Sequence, residues 1–158
     1  MDSIELNPFE KFTNQWALVT AGTKESFNSM TIGWGTMGTL WKLPVITIFI
    51  RPCRYTMEFI EKSDYFTVAF FDEKYKKALG IMGTKSGRDT DKVKLSQLTP
   101  KFLENGVTYE EASETYVCKK MYCEQMNKDK FPELAKIFYE HEKEQEAHYL
   151  ITGEVIKV

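Results

Sequence analysis

Residues 30–38, Met30-Thr31-Ile32-Gly33-Trp34-Gly35-Thr36-Met37-Gly38, place three glycines and a tryptophan between two strand-forming runs. A glycine-rich turn that leads from a strand into a helix would mark a dinucleotide-binding βαβ unit. Here the turn leads instead into another strand, Pro44 to Ile50, which is β-branched, nearly continuous and expected to be covered on both faces. Strand following strand, with no G-x-G-x-x-G ahead of a helix, argues against a doubly wound sheet. It favours a mainly β, α+β architecture: an antiparallel barrel with helices packed around it.

The rest of the chain supplies compatible elements. Trp16 to Thr20, closed by Ala21-Gly22, is a first strand, and a second follows Phe27. Pro52 is placed to open a helix reaching Lys62, with Tyr55, Phe59 and Ile60 on its apolar side. Phe66 to Phe71 is a buried type of strand, after which Asp72 can cap a helix through Tyr75, Leu79 and Met82 that Gly83 stops. Residues 98–113 are expected as a loop with one helical turn after Pro100. Thr115 to Cys123 is a long strand, Asp129 to about Glu144 a helix, and Tyr149 to Val158 the last strand.

At 158 residues the chain fits a single domain spanning 1–158, with a core that needs no staples. Its formal net charge of -2 argues against a general nucleic-acid binder, so any anion site must be local. Three cysteines, no signal-like start and no run of membrane-spanning length lead to the expectation of a soluble cytoplasmic protein, without membrane association. Cys118 and Cys123, five positions apart on one strand, would be separated by about 16 Å and cannot pair. Cys53 is expected to be a small buried apolar residue. No metal is expected, because H-E-x-x-H is absent and neither His141 nor His148 has a nearby cysteine.

Residue chemistry gathers at three places. The turn offers exposed backbone and an aromatic wall, which suits a heteroaromatic ring with hydrogen-bonding edges. Arg51, Arg54, Tyr55 and Thr56 fall at a strand-to-helix junction where free N–H groups favour an anion. A second basic cluster, Lys85, Arg88, Lys92 and Lys94, includes Ser86 and Gly87. Thr84-Lys85-Ser86 fails as a P-loop, which would need glycine at Leu79 and at Thr84. Together these features fit flavin mononucleotide (FMN) better than a dinucleotide or ATP.

The run from Asn28 through Asp72, followed by Gly83 to Asp89, Lys92-Val93, His148 and Gly153-Glu154-Val155, resembles the flavin reductase-like, FMN-binding split-barrel family, especially its flavoredoxin-type members. That resemblance covers nearly the whole chain. It implies a six-stranded Greek-key split barrel that pairs as a homodimer and binds one FMN per subunit. Asn28 and the backbone of Met30, Thr31, Ile32, Gly33, Trp34, Gly35 and Thr36 would contact the ring and ribityl groups. Arg51, Arg54, Tyr55, Thr56, Ser86, Gly87 and Lys92 would surround the ribityl chain and phosphate. His148 would lie near the nicotinamide or flavin.

The implied activity is NAD(P)H-dependent flavin reduction, with electrons passed on to free flavin or a redox protein. The alternative is a non-enzymatic FMN carrier shuttling electrons between protein partners. Both need the same pocket, and no catalytic acid is identifiable from sequence.

Overall fold

The computed structural model describes residues 7–158. In chain order the elements are α1 (Pro8–Glu10), running into a π-helical turn, Lys11–Gln15, then β1 (Ala17–Gly22), β2 (Phe27–Ile32), β3 (Gly35–Leu40) and β4 (Leu43–Ile50). Next come α2 (Tyr55–Lys62), β5 (Tyr65–Phe70), α3 (Lys76–Thr84), α4 (Lys92–Ser96), β6 (Pro100–Leu103) and β7 (Gly106–Tyr109). The chain finishes with β8 (Glu114–Gln125), α5 (Glu133–Glu140) and β9 (Tyr149–Lys157).

Seven strands form one antiparallel sheet in the order β2-β1-β5-β8-β9-β4-β3, and β6 pairs with β7 in a separate hairpin. The expected count of six strands is therefore corrected to seven. β2 and β3 lie at opposite edges of this sheet, yet only Gly33 and Trp34 separate them in sequence. Laid flat, seven strands would hold those edges about 29 Å apart, whereas the link can span at most about 11 Å. The sheet must curl until its edges approach, and because β2 and β3 do not pair, it remains a split barrel with a seam at Gly33-Trp34.

Alternation along the strands builds two apolar layers. Ala17, Val19 and Ala21 of β1 join Ile46, Ile48 and Ile50 of β4, Phe66 and Val68 of β5, and Met57 and Ile60 of α2 in the interior core. Leu18 of β1 and Ala69 of β5 face the other way, onto Ala78, Leu79 and Met82 of α3. Both faces of β1 are thus covered. β4 differs from the expectation: its inward face is buried, while Thr47 and Phe49 on the opposite face are only half-buried. The sheet wraps the core on one side there, and Phe49 on the other lines a shallow cleft with Pro8 and Phe9 of α1.

Residues 98–113, expected as a loop, hold the β6–β7 hairpin instead. A buried hydroxyl chain ties it to the barrel: Ser29 Oγ lies 2.7 Å from both Thr20 Oγ1 and Tyr109 OH, and Thr67 Oγ1 donates to Val107 O at 2.6 Å. These long-range contacts carry no local signal, which is why turn composition alone misreads the segment. Pro52 precedes rather than starts α2, Gly83 lies within α3 rather than stopping it, and α5 is shorter than expected at both ends. Among the described residues no helix is long and apolar enough to cross a membrane, and all three cysteines are free.

Gly153 on β9 occupies a position where a Cβ would stand 2.8 Å from the Cβ of Cys118 and from ring carbons of Phe66. Gly153→Ala is expected to lower stability by about 1–3 kcal/mol through overpacking. Urea unfolding monitored by tryptophan fluorescence reads this, and an unchanged midpoint would mean that the interior yields at that point.

Candidate functional site

Two adjoining clefts open at the seam and share Met30 and Arg54. One, about 280 Å³, is cationic and lies between the start of α2 and the segment from Thr84 to Lys92. The other, about 240 Å³, is aromatic and is bounded by the end of β2, the Gly33-Trp34 link, Phe49 and His148.

The cationic cleft forms where two helix termini meet. Arg54 stands at the N-cap position of α2 without a side-chain cap bond, and Met57 N donates to Arg54 O at 2.9 Å, so the N–H groups of Tyr55 and Thr56 at the very start of the helix are left for other partners. At the opposite wall, the last carbonyls of α3 accept from cations: Arg54 Nη2 donates to Gly83 O at 2.6 Å, and the buried Lys92 Nζ donates to Met82 O at 3.0 Å. Cations at a helix C-terminus satisfy carbonyls that have no partner within the helix and complement the dipole. Among the described residues neither Arg54 nor Lys92 forms a salt bridge with a carboxylate. Burial, with a further push from Arg54, lowers the Lys92 ammonium to about 8.

The floor is preorganised. Asn28 Nδ2 donates to Thr56 Oγ1 at 2.8 Å, with both residues buried, which leaves the Thr56 hydroxyl hydrogen available to a ligand. Gly87 sits so close that a Cβ would fall 2.1 Å from Asn28 Oδ1 and 3.1 Å from Tyr55 Cδ1. Arg88 is already engaged: it pairs with Glu58, donates to Cys53 O at 3.1 Å and covers the Tyr55 ring at 4.8 Å. Cys53 is half-buried, and burial followed by its hydrogen bond with Glu144 pushes the thiol up, away from thiolate chemistry.

The aromatic cleft centres on Trp34, which is 46% exposed. His148 lies against it with ring centroids 4.7 Å apart, and Phe138 of α5 lies 5.2 Å away on tilted planes. β2 is an edge strand, so alternate backbone groups along Met30, Thr31 and Ile32 have no ladder partner beside this cleft. Thr31 Oγ1 donates to Leu79 O at 2.6 Å and draws α3 onto β2, where a Cβ on Gly83 would meet Thr31 Cβ at 3.2 Å. Burial, then Arg51, holds the His148 imidazole down to about 4, with Glu142 acting in the opposite sense.

The structure gathers most of the residues singled out from sequence. Asn28, Met30, Arg54, Tyr55, Thr56, Ser86, Gly87 and Lys92 line the cationic cleft, and Thr31, Ile32, Gly33, Trp34 and His148 line the aromatic one. Arg51 is relocated: it belongs to the aromatic cleft and pairs with Glu142 at 2.8 Å rather than joining the other cations. Gly35 and Thr36 fall outside both clefts. Gly35 instead makes room for the Phe12 ring, which a Cβ would approach to 2.3 Å, and Thr36 pairs with Thr47 on β4. Sequence reasoning missed Phe49, whose place opposite Ile48 and Ile50 follows from strand alternation, and also Phe138 of the distant helix α5 and Glu142 and Glu144 of the segment after it.

Comparison with known proteins gives a match to the flavin reductase like domain across residues 9–158. Among solved structures, an FMN-binding protein from Thermus thermophilus with bound p-hydroxybenzaldehyde superposes with a TM-score of 0.70 at 22% identity, covering 90% of this chain and 69% of that one. Flavoredoxin from Methanosarcina acetivorans gives 0.69 at 21% identity, with coverages of 99% and 74%. Nitrilotriacetate monooxygenase component B from Bacillus cereus gives 0.69 at 16%, with 99% and 78%. At these identities the likeness establishes the fold. No curated protein matches the chain.

The Lys92 environment sets a pH dependence. The unfolded lysine titrates near 10.5 and the folded one near 8, so between these values the unfolded chain holds more protons and stability rises with pH. Melting of the ligand-free protein is expected to show this rise, and Lys92→Met to remove it. A phosphate monoester favours charged Lys92, so its affinity should decline as pH increases above about 8 in the wild type only. Equal pH profiles for wild type and variant would contradict the assignment.

Proposed function

The chain belongs to the flavin reductase like domain family, and on that premise we propose that it is an FMN-binding oxidoreductase that takes electrons from a reduced nicotinamide. The observation that carries this reading is the half-buried Arg54 and the buried Lys92, neither with a carboxylate partner among the described residues, in a cleft that adjoins the one walled by Trp34. A phosphate attached to a flat ring by a short chain matches that order of groups. The residues fit the cofactor on three counts: unneutralised cations, a Thr56 hydroxyl aimed from the floor, and Gly87, where any side chain would displace Asn28.

In this reading Arg54, Lys92 and Thr56 hold the phosphate, with Ser86 at the mouth of the cleft. Unpaired backbone groups of β2 meet the polar edge of the ring, and Trp34 covers apolar ring surface. Bound FMN would supply the redox chemistry, accepting hydride from NAD(P)H and releasing electrons to free flavin or a redox protein. The protein's part is to orient the reactants and exclude water. Hydride transfer requires no acid, which agrees with a cleft whose histidine stays neutral.

A second reading, an electron carrier without nicotinamide turnover, draws support from Phe138 and the Arg51–Glu142 pair, which crowd the Trp34 side of the aromatic cleft.

The purified protein is expected to show flavin absorbance and to bleach on anaerobic addition of NADH. Thr56→Ala combined with Lys92→Ala should weaken FMN binding by at least about tenfold while leaving the fold intact. Bleaching by NADH supports the enzyme, and bleaching only by a reduced protein donor supports the carrier. Unchanged FMN affinity in the double variant would sink the phosphate assignment.

A further inference from the structure

We infer that Tyr139 is a positioning residue that fixes His148 as a neutral imidazole carrying its hydrogen on Nε2, turned into the aromatic cleft to donate to a carbonyl oxygen of the bound ligand. The role of the donor rests on the FMN reading above, whereas the tautomer does not.

Tyr139 and His148 are both buried, at 3% and 7% exposure. Tyr139 OH lies 2.5 Å from His148 Nδ1 and 3.2 Å from the His148 backbone nitrogen. The backbone N–H can only donate, so the phenol oxygen accepts there and its single hydrogen remains for the ring. Were Nδ1 protonated, that hydrogen would need another acceptor, and among the described residues Tyr139 OH makes no third hydrogen bond. Nδ1 is therefore the acceptor, and in the neutral ring Nε2 carries the hydrogen.

Neither partner is free to turn away. Phe131 stacks on Tyr139 at 5.5 Å, and Phe138 meets it edge-on at 5.1 Å. Around His148, Met126 N donates to its carbonyl at 3.0 Å, and Gln125 Nε2 donates to Ala147 O at 3.0 Å. Among the described residues every fully buried side-chain nitrogen or oxygen has a partner, yet Nε2 makes no hydrogen bond to protein. Nε2 therefore occupies the accessible edge of the ring, and the surface His148 contributes to is the aromatic cleft beside Trp34.

The charged and titratable groups around the pair are Arg51 after β4, Glu142 after α5 and Lys128, whose Nζ lies 5.9 Å from the centre of the Tyr139 ring. Arg51 and Glu142 largely offset each other through their 2.8 Å contact, so burial decides. His148 consequently offers a donor across the whole physiological range and passes no proton. A permanent N–H beside an aromatic wall suits a ring carbonyl. Two sources provide one: the flavin ring itself and the carboxamide of a nicotinamide.

The tautomer is read from 15N-histidine NMR of the cofactor-free protein, with the His148 signals identified by their loss in His148→Gln. A protonated Nε2 with unprotonated Nδ1, constant from pH 5 to 8, is expected. Protonation at Nδ1, or titration within that range, overturns the inference.

Use of the donor is read with Tyr139→Phe, checked for folding by its melting curve, and with His148→Gln, whose amide nitrogen can occupy the Nε2 position. About tenfold weaker FMN binding in Tyr139→Phe identifies the flavin carbonyl as acceptor. A similar rise in KM for NADH at unchanged FMN affinity identifies the carboxamide. In either case His148→Gln should retain most of the function and be insensitive to a second Tyr139→Phe change. If both affinities stay within twofold in Tyr139→Phe although the tautomer is lost, His148 donates to neither and the inference fails. A wild-type protein that binds no FMN removes the cofactor reading and the donor role together, while the NMR result on the tautomer stands.

Discussion

A two-residue link between opposite edges of a seven-stranded sheet is the constraint on which the rest of the structure depends. Gly33 and Trp34 cannot span a flat sheet, so the sheet curls, and its unpaired edges leave a seam. What is placed at that seam is left unpaired: backbone on β2 without a ladder partner and an indole half in solvent. The aromatic cleft is thus a by-product of closing the barrel incompletely. Its residues come from four separate parts of the chain, which the curling of the sheet and the packing of α3 on β2 make neighbours.

The cationic cleft has a different physical origin. The C-terminus of α3 exposes carbonyls that need donors, and Arg54 and Lys92 supply them from either side. The carbonyls at the helix end, carrying the negative end of its dipole, offset part of the cost of holding two cations together there, a cost that still lowers the Lys92 ammonium to about 8. The arrangement leaves positive charge directed at whatever enters. α3 is itself fixed by Thr31 and by the absence of a side chain at Gly83, so the position of the cations follows from the packing of one helix on an edge strand.

Much of this was legible in the sequence, and what was not has identifiable causes. The strand after the glycine-rich turn excluded a dinucleotide fold, and short runs such as Phe66 to Phe71 located the core because burial on both faces demands unbroken apolar residues. Thr56, Gly87 and Lys92 fall in clusters whose residue types suit an anion, and the family resemblance joined them with Asn28 into one site. Their hydrogen bonds and steric fit arise only when segments 28 residues and more apart are brought together. The β6–β7 hairpin was misread, and the Arg51–Glu142 pair unforeseen, for the same reason. The first depends on hydroxyls of β1, β2 and β5, the second on Glu142, and neither partner is near in sequence. Tyr139 carried no signal at all, since its meaning lies in a hydrogen bond to the residue that precedes the last strand.

The central claim is that the cations at the end of α3 hold a phosphate whose attached ring lies at the seam. Side-by-side fluorescence titrations with FMN and with riboflavin, which share the ring and differ only in the phosphate, test it most directly. FMN is expected to bind about 100-fold more tightly, as two charge-assisted contacts would provide. Equal affinity for the two would contradict the account, because it would mean that Arg54 and Lys92 do nothing beyond capping a helix.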